Sequence, residues 1–155
     1  MFLEWLEGLP PAVLLRKSGI GYMLVNAAHI ASIGILVGAI VSLDVRMVGA
    51  FKRVPLGVVG PFMSRMASIG LLLAIFTGSW LFIVDPTEYV DNPVFLAKLG
   101  LVAIGVANAL CLHAASAWSR AVQDGQISVR LRTHAALSLV TWLSVVLAGR
   151  WIAFW

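Results

Sequence analysis

The sequence predicts an all-α integral membrane protein: an antiparallel four-helix bundle preceded by a short N-terminal amphipathic helix at the membrane interface. Of its 155 residues, 61% are hydrophobic and only 12% are charged, whereas a soluble domain is about half apolar and roughly a quarter charged. The apolar residues form four runs, each close to the roughly 20 residues that cross a bilayer as a helix. Short connections between these runs favour an up-down bundle forming one domain, residues 1–155.

The N-terminal segment "MFLEWLEGLPP" has acidic residues and lacks the basic region and cleavage pattern of a signal peptide. Glu4 and Glu7 lie away from its apolar face on a helical wheel. We therefore expect a short helix on the membrane surface, ended by Pro10 and Pro11. Its apolar residues recur at helical spacing: Phe2, Trp5, Leu6 and Leu9.

The four spans are predicted at residues 20–43, 61–84, 94–118 and 132–154. The breaks between them are "FKRVPLG", "DPTEYVDNP" and "SRAVQDGQISVRLR". Basic residues are more numerous around the first and third breaks than on the opposite side, so the positive-inside rule places both termini outside. The two sets are Arg46, Lys52, Arg53, Arg65, Arg120, Arg130 and Arg132 against Arg16, Lys17, Lys98 and Arg150.

The net charge of +4 belongs to these topological signals and to contacts with lipid headgroups, so no nucleic-acid partner is expected. The single cysteine, Cys111, excludes an intramolecular disulfide and the attachment motif of c-type haem. Two glycine-based patterns, Gly34-x-x-x-Gly38 and Gly70-x-x-x-Ala74-x-x-x-Gly78, allow close approach of neighbouring helices.

All three histidines lie within predicted spans, where ionisable side chains carry a functional hypothesis by default. Each shares a helix face with polar or small residues, so each is expected to point into the bundle. The faces are Tyr22, Asn26 and His29 in the first span, Lys98, Gly105, Ala109 and His113 in the third, and His134, Ser138 and Thr141, followed by Arg150, in the fourth.

Histidines on facing helices are how bundles build cofactor sites, and two neutral imidazoles on opposite sides of an iron hold a b-type haem. At 1.5 Å per residue, His29 lies about 14 Å, His113 about 20 Å and His134 about 25 Å from the outer boundary. His113 can therefore pair with either of the others, and His29 with His134 is the poorest match. Lys98 and Arg150 either snorkel to headgroups or bind haem propionates.

Other interpretations of these polar residues stay open. Each histidine can instead be hydrogen-bonded to a neighbouring helix, and Asp44 can form a structural ion pair with Arg65. A set of soft ligands for copper(I) is a further alternative, ranked lower because Cys111 and His113, two residues apart, point in different directions on a helix. That set is Met63, Met66, Cys111 and His113.

Three stretches carry a family resemblance: "AAHIASIGILVGAIVSLDVRMVG", "NPVFLAKLGLVAIGVANALCLH" and "ALSLVTWLSVVLAGRWIAFW". Over nearly the whole chain they resemble a family of small bacterial four-helix inner-membrane proteins of unknown function. More distantly, the first and third helices are similar to those of HemJ, the membrane protoporphyrinogen oxidase, and of CopD-like copper-resistance proteins. The shared features are an early histidine in the first helix, an arginine about one span later, and a lysine-then-histidine third helix.

The resemblance implies that His29 is a haem b ligand, with Arg46 and Lys98 as its polar accompaniment and His113 as the second ligand. His134 matches no histidine expected in that family. The expected protein is thus a b-type membrane cytochrome, an oxidoreductase or electron-transfer protein, with Asn26 and Arg150 near the cofactor. Its expected partners are the lipid bilayer and a quinone, a porphyrin or a redox protein.

Two further functions stay open at this point. The first is a CopD-like protein that transports or handles copper or another ion, and the second is a structural accessory subunit of a membrane complex. Whether the protein is an enzyme, and whether it forms a homo-oligomer, are also open. The resemblance implies a location in the bacterial inner membrane, and the charge distribution then places both termini in the periplasm.

Overall fold

The computed structural model of the protein describes residues 2–154, except for the side chain of Ala153. Across the described residues the chain is helical and contains no strand. The helices are α1 (Phe2–Glu7), α2 (Pro10–Lys17), α3 (Gly19–Val48), α4 (Leu56–Phe82), α5 (Pro86–Asp91), α6 (Pro93–Ala114), α7 (Ser116–Asp124) and α8 (Val129–Trp151), followed by a 3-10 turn (Ile152–Phe154).

Four of these helices, α3, α4, α6 and α8, are long and apolar enough to cross a membrane. The all-α class and the four spans are therefore confirmed, and the chain is a multi-pass membrane protein. The observed ends differ from the predicted ones. Helix α4 begins at Leu56 and keeps Pro61 inside it, and α6 ends at Ala114 because Ala115 is extended (φ −77°, ψ 134°).

The prediction that Pro10 and Pro11 end the N-terminal helix is wrong. Helix α1 ends at Glu7, and a second helix, α2, begins at Pro10. Proline is well suited to the first turn of a helix, where its missing N–H would have no partner and its fixed φ is already helical. The two prolines therefore initiate a helix, and Gly8 and Leu9 form the break.

The long helices pack side by side in the order α4, α3, α8, α6. Helices α3 and α4 run antiparallel, since His29 lies against Gly78 and Leu36 lies against Gly70. By contrast, α4 and α6 contact each other only marginally over the described residues. The result is a groove between α4 and α6 with α3 and α8 as its back wall.

The two ends of this assembly differ. One end, here the α5 end, carries α1, α2 and α5. There the rings of Phe82, Tyr89 and Phe95 pack together, with centroids 5.2–6.1 Å apart. Burial, together with interaction with the Tyr22 hydroxyl, raises the pKa of Tyr89 to about 12. Tyr89 is thus a neutral phenol that ties α5 to the start of α3.

The opposite end, here the α7 end, is closed by short connections. The Arg46 side chain is buried and donates to the carbonyl oxygens of Val54 (2.7 Å) and Lys52 (3.2 Å). It thereby holds the α3–α4 link in place. Helix α7 packs on the first turns of α4, where Gly60 makes room for the Trp118 ring.

Candidate functional site

His29 lies in the α5 half of the protein, on the face of α3 that packs against α4. Its Nδ1 is 2.9 Å from the Thr77 hydroxyl oxygen. That hydroxyl donates its only proton to the carbonyl of Leu73, at 2.7 Å. Thr77 therefore accepts from His29, which places the imidazole proton on Nδ1, and the backbone carbonyl of Ala74 is a second acceptor beside the ring. A neutral imidazole in this tautomer is a metal ligand.

The side chains of His29 and Lys98 each pack against a glycine of another helix. A Cβ on Gly78 of α4 would lie 2.9 Å from Cε1 of His29, so the imidazole packs against bare backbone there. The Lys98 side chain of α6 lies against Gly149 of α8, where a Cβ on the glycine would lie 3.7 Å from Cε of Lys98. Lys98 and His29 interact electrostatically. The two residues and the two glycines come from all four spans.

His113 lies toward the α7 end and has both ring nitrogens occupied. Its Nδ1 donates to the carbonyl of Ala109 at 2.7 Å, which leaves Nε2 as an acceptor. The Ser64 hydroxyl donates to that Nε2 at 2.9 Å. The ring also packs against Trp118, with centroids 4.7 Å apart. To bind a metal, His113 would first have to release Ser64.

His134 forms a reciprocal pair with Asn108 between α8 and α6. The Asn108 amide donates to the backbone carbonyl of His134 at 3.1 Å, and its oxygen accepts from Nδ1 of the same residue at 2.7 Å. The Nε2 atom of His134 is thus unprotonated. Its lone pair has no hydrogen-bond donor among residues 2–154.

The structure does not bring His29 and His113 together. His29 is bonded to Thr77 and His113 to Ser64, two positions separated by about 20 Å of rise along α4. One iron needs both axial imidazoles at the same depth, one on each side of the haem. A single haem held by this pair does not fit the arrangement.

The other residues expected near a cofactor are scattered. Asn26 is exposed on α3. Arg150 is exposed and lies over the Phe154 ring, 4.8 Å from its centroid. Arg46 is committed to the α3–α4 link. Of the expected accompaniment, Lys98 is thus the residue that interacts electrostatically with His29.

Asp44 is buried, with 4% of its surface exposed, and its Oδ2 has no hydrogen-bond partner among the residues that the structure describes. The Ser138 hydroxyl of α8 interacts with its carboxyl group. The predicted pair with Arg65 is wrong, since no ion pair joins the two within the described chain and the Arg65 side chain is exposed. Arg65 lies on α4 across the groove, whereas Ser138 is on the helix that packs beside Asp44.

The groove between α4 and α6 encloses a cavity of about 530 Å³, a size typical of sites for small organic ligands. Asp44 and His134 line it together with Ser138 and Trp142, and its side walls are largely apolar. Sequence reasoning missed this site because it assumed four helices packed evenly around one axis. The signal that could have found it is the set of polar residues at the same depth on α3, α6 and α8.

The alternative copper site does not assemble into a recognisable cluster. Among the described residues, no group of three or more His, Cys, Asp or Glu side chains is placed to hold a metal ion. Cys111 is exposed, whereas Met63 packs against the apolar core around Met47 and Leu56.

Comparison with known proteins adds no family assignment: no family model, curated protein or solved structure matches the chain.

Proposed function

We propose that the protein binds haem b in the bacterial inner membrane, with His29 as its imidazole ligand, and serves electron transfer or an oxidoreductase reaction. The observation that carries the proposal is the hydrogen bond between His29 Nδ1 and a Thr77 hydroxyl whose own proton is already given to Leu73. This bond fixes Nδ1 as a donor, so Nε2 is the nitrogen that would bind the iron.

Metal-binding histidines in proteins almost always donate their other ring N–H to a neighbouring acceptor, which fixes the tautomer and the orientation of the ring. The Thr77 oxygen is such an acceptor for His29, and Gly78 restrains the same ring by close packing.

Lys98 supplies the second element of the proposal. Its side chain extends along Gly149 and interacts electrostatically with His29, and its ammonium group would bind a haem propionate. The haem itself would supply one-electron chemistry. Since His113 lies at another depth, the second axial position would not be filled by that histidine, in contrast to the bis-histidine arrangement expected from the sequence.

The proposed setting is an up-down bundle in which both termini and α5 lie outside and α7 lies in the cytoplasm. Helix α1 would lie on the periplasmic surface of the inner membrane. Its Phe2 and Trp5 side chains are largely exposed, as expected for groups that enter the interface. The haem would then lie in the outer half of the membrane, at the depth of His29 and Lys98.

The test is an absorption spectrum of protein purified from a bacterial host in mild detergent, oxidised and dithionite-reduced, with haem quantified after extraction. We expect Soret and alpha bands in the wild type and in His113→Ala, and their loss in His29→Ala. Size-exclusion profiles and circular dichroism show that the variants are folded. A colourless wild type without extractable haem would refute the proposal. Pigment lost in His113→Ala and retained in His29→Ala would refute the assignment of the ligand.

A further inference from the structure

The groove between α4 and α6 is separate from the proposed haem site. It lies toward the α7 end, and neither His29 nor Lys98 lines it. Its rim faces the surroundings of the protein, since Ile69 is 49% and Leu110 is 66% exposed. In a membrane these rim residues meet lipid, so a molecule dissolved in the bilayer would enter the groove sideways.

The back wall of the groove holds polar groups that the protein leaves without partners. Asp44 lines the cavity, is more than nine-tenths buried, and has an Oδ2 without a hydrogen-bond donor. Trp142 lines the same wall, and its Nε1, which packs beside Gly105 of α6, has no acceptor among residues 2–154. A buried polar group left unpaired costs about 1–3 kcal/mol, so a binding partner is expected for such groups. His134 adds the free lone pair of its Nε2 to the same wall.

These groups define the chemistry of the ligand. Asp44 and His134 offer acceptors, whereas the Trp142 N–H is a donor. A hydroxyl group matches both, because it donates one hydrogen bond and accepts others. A metal cation would leave the indole unsatisfied. Arg65 also lines the groove, but its side chain is exposed at the rim, whereas an anionic headgroup at the back wall would meet the Asp44 carboxyl. The apolar side walls, which include Leu36, Ile40 and Leu71, fit a neutral ring with a hydrocarbon tail.

We propose that the groove between α4 and α6 binds a membrane-dissolved quinol, with its ring hydroxyls directed to Asp44 and His134. The ring would lie between α4 and α6, and its tail would leave between Ile69 and Leu110 toward the lipid. The proposal goes beyond haem binding and does not depend on it, because the groove and the His29 site share no residue.

The probe is a tritiated benzoquinol with a decyl tail, kept reduced and titrated against the full chain in lipid nanodiscs. The competitor is the same compound with both ring hydroxyls methylated, which cannot donate a hydrogen bond. Asp44→Leu removes the acceptor while keeping a side chain with the same branching at Cγ. Ser68→Phe fills the groove from its exposed α4 wall, and Ser68→Ala is its matched control.

We expect saturable binding to the wild type and to Ser68→Ala, with affinity about tenfold lower in Asp44→Leu, as for one lost hydrogen bond. Ser68→Phe should lose binding even if Asp44→Leu does not fold. His29→Ala should bind as the wild type does, which separates this result from that of the haem experiment. Unsaturable partitioning, equal competition by the methylated compound, or unchanged affinity in a folded Asp44→Leu or in Ser68→Phe would overturn the proposal.

Discussion

Thr77 has one hydroxyl proton, and the Leu73 carbonyl receives it. The oxygen can therefore only accept from His29, and this bond sets which ring nitrogen is free. In Thr77→Val the shape is kept and the acceptor is lost, so the His29 tautomer is no longer fixed. We expect haem affinity to fall about 10- to 100-fold, as for other residues that orient a metal ligand.

This change in affinity is measured by titrating haem into the apo-protein and following the Soret band. Thr133→Val is the matched control, since Thr133 is exposed and its hydroxyl bonds only within α8, to the carbonyl of Arg130. Equal affinities in the wild type and Thr77→Val would show that the tautomer of His29 does not matter for binding.

Asn108 is buried and joins α6 to α8 through two hydrogen bonds to one residue, His134. Asn108→Leu would leave the imidazole N–H without a partner in an apolar setting, whereas the carbonyl of His134, inside α8, would keep its helical hydrogen bond. The loss of a partner for a buried polar group costs about 1–3 kcal/mol. We therefore expect a clearly lower midpoint of thermal unfolding in detergent, whereas Asn26→Leu, at an exposed position of α3, should leave the midpoint unchanged.

At this scale the sequence indicates the polar positions and not their partners. Helical periodicity predicted that His134 faces a neighbouring helix, but it did not predict the pairing of His134 with Asn108. His113, which was also expected to point into the bundle, is exposed. Which residues of two helices meet depends on their relative shift and tilt, and a shift of one turn moves a contact by about 5.4 Å. Because this shift is unknown from the sequence, an ion pair of Asp44 with Arg65 was expected, whereas Asp44 interacts with Ser138 in the structure.

Helices α3 and α4 pack more extensively than any other pair, and Gly70 marks their closest approach. A Cβ at Gly70 would lie 2.6 Å from the backbone nitrogen of Leu36, and a backbone atom cannot move aside as a flexible side chain can. Gly70→Ala must therefore separate the two helices. We expect a loss of stability of about 1–3 kcal/mol, the usual cost of overpacking.

Gly34→Ala is the control for this substitution, because a Cβ at Gly34 would meet nothing within 4 Å. Thermal unfolding of both variants in the same detergent provides the comparison. A Gly70→Ala protein as stable as Gly34→Ala would contradict the close packing of α3 on α4.

The two glycine patterns look alike in the sequence and differ in the structure. Gly70 and Gly78 lie in the α3–α4 interface, whereas neither Gly34 nor Gly38 has a neighbouring atom within 4 Å of a Cβ position. Small residues permit close approach, but the face on which a partner packs is decided by all contacts of the helix. The apolar runs were thus enough to predict the helices, but they did not show which glycines lie in a helix–helix interface.

Over the whole molecule, the order of the helices departs from a simple succession. Helices α4 and α6 follow one another in the chain, separated only by α5, yet they barely contact each other, and α6 packs on α8. Hydropathy and loop length say how many spans there are and which way they run. They do not say which spans touch, so the groove between α4 and α6 was beyond what the sequence could predict.

The charge distribution makes a prediction for the whole molecule: α5 lies outside the inner membrane and α7 in the cytoplasm. The connection that holds α5 is acidic, with Asp85, Glu88 and Asp91, whereas the flanks of α7 are basic. Thr87 on α5 and Ser119 on α7 are both exposed. Each can therefore carry a reporter thiol in a Cys111→Ala background.

A membrane-impermeant maleimide added to spheroplasts should label Thr87→Cys and leave Ser119→Cys unlabelled until the membrane is opened. Equal labelling after detergent treatment shows that both thiols are reactive. The reverse pattern would invert the topology and place His29 and Lys98 in the cytoplasmic half of the membrane. The packing of these two side chains against their glycines would be unchanged, because the helices set the depth of the site. The charges around the helices set which side of the membrane the site faces, so a haem held there would exchange electrons with the cytoplasmic side.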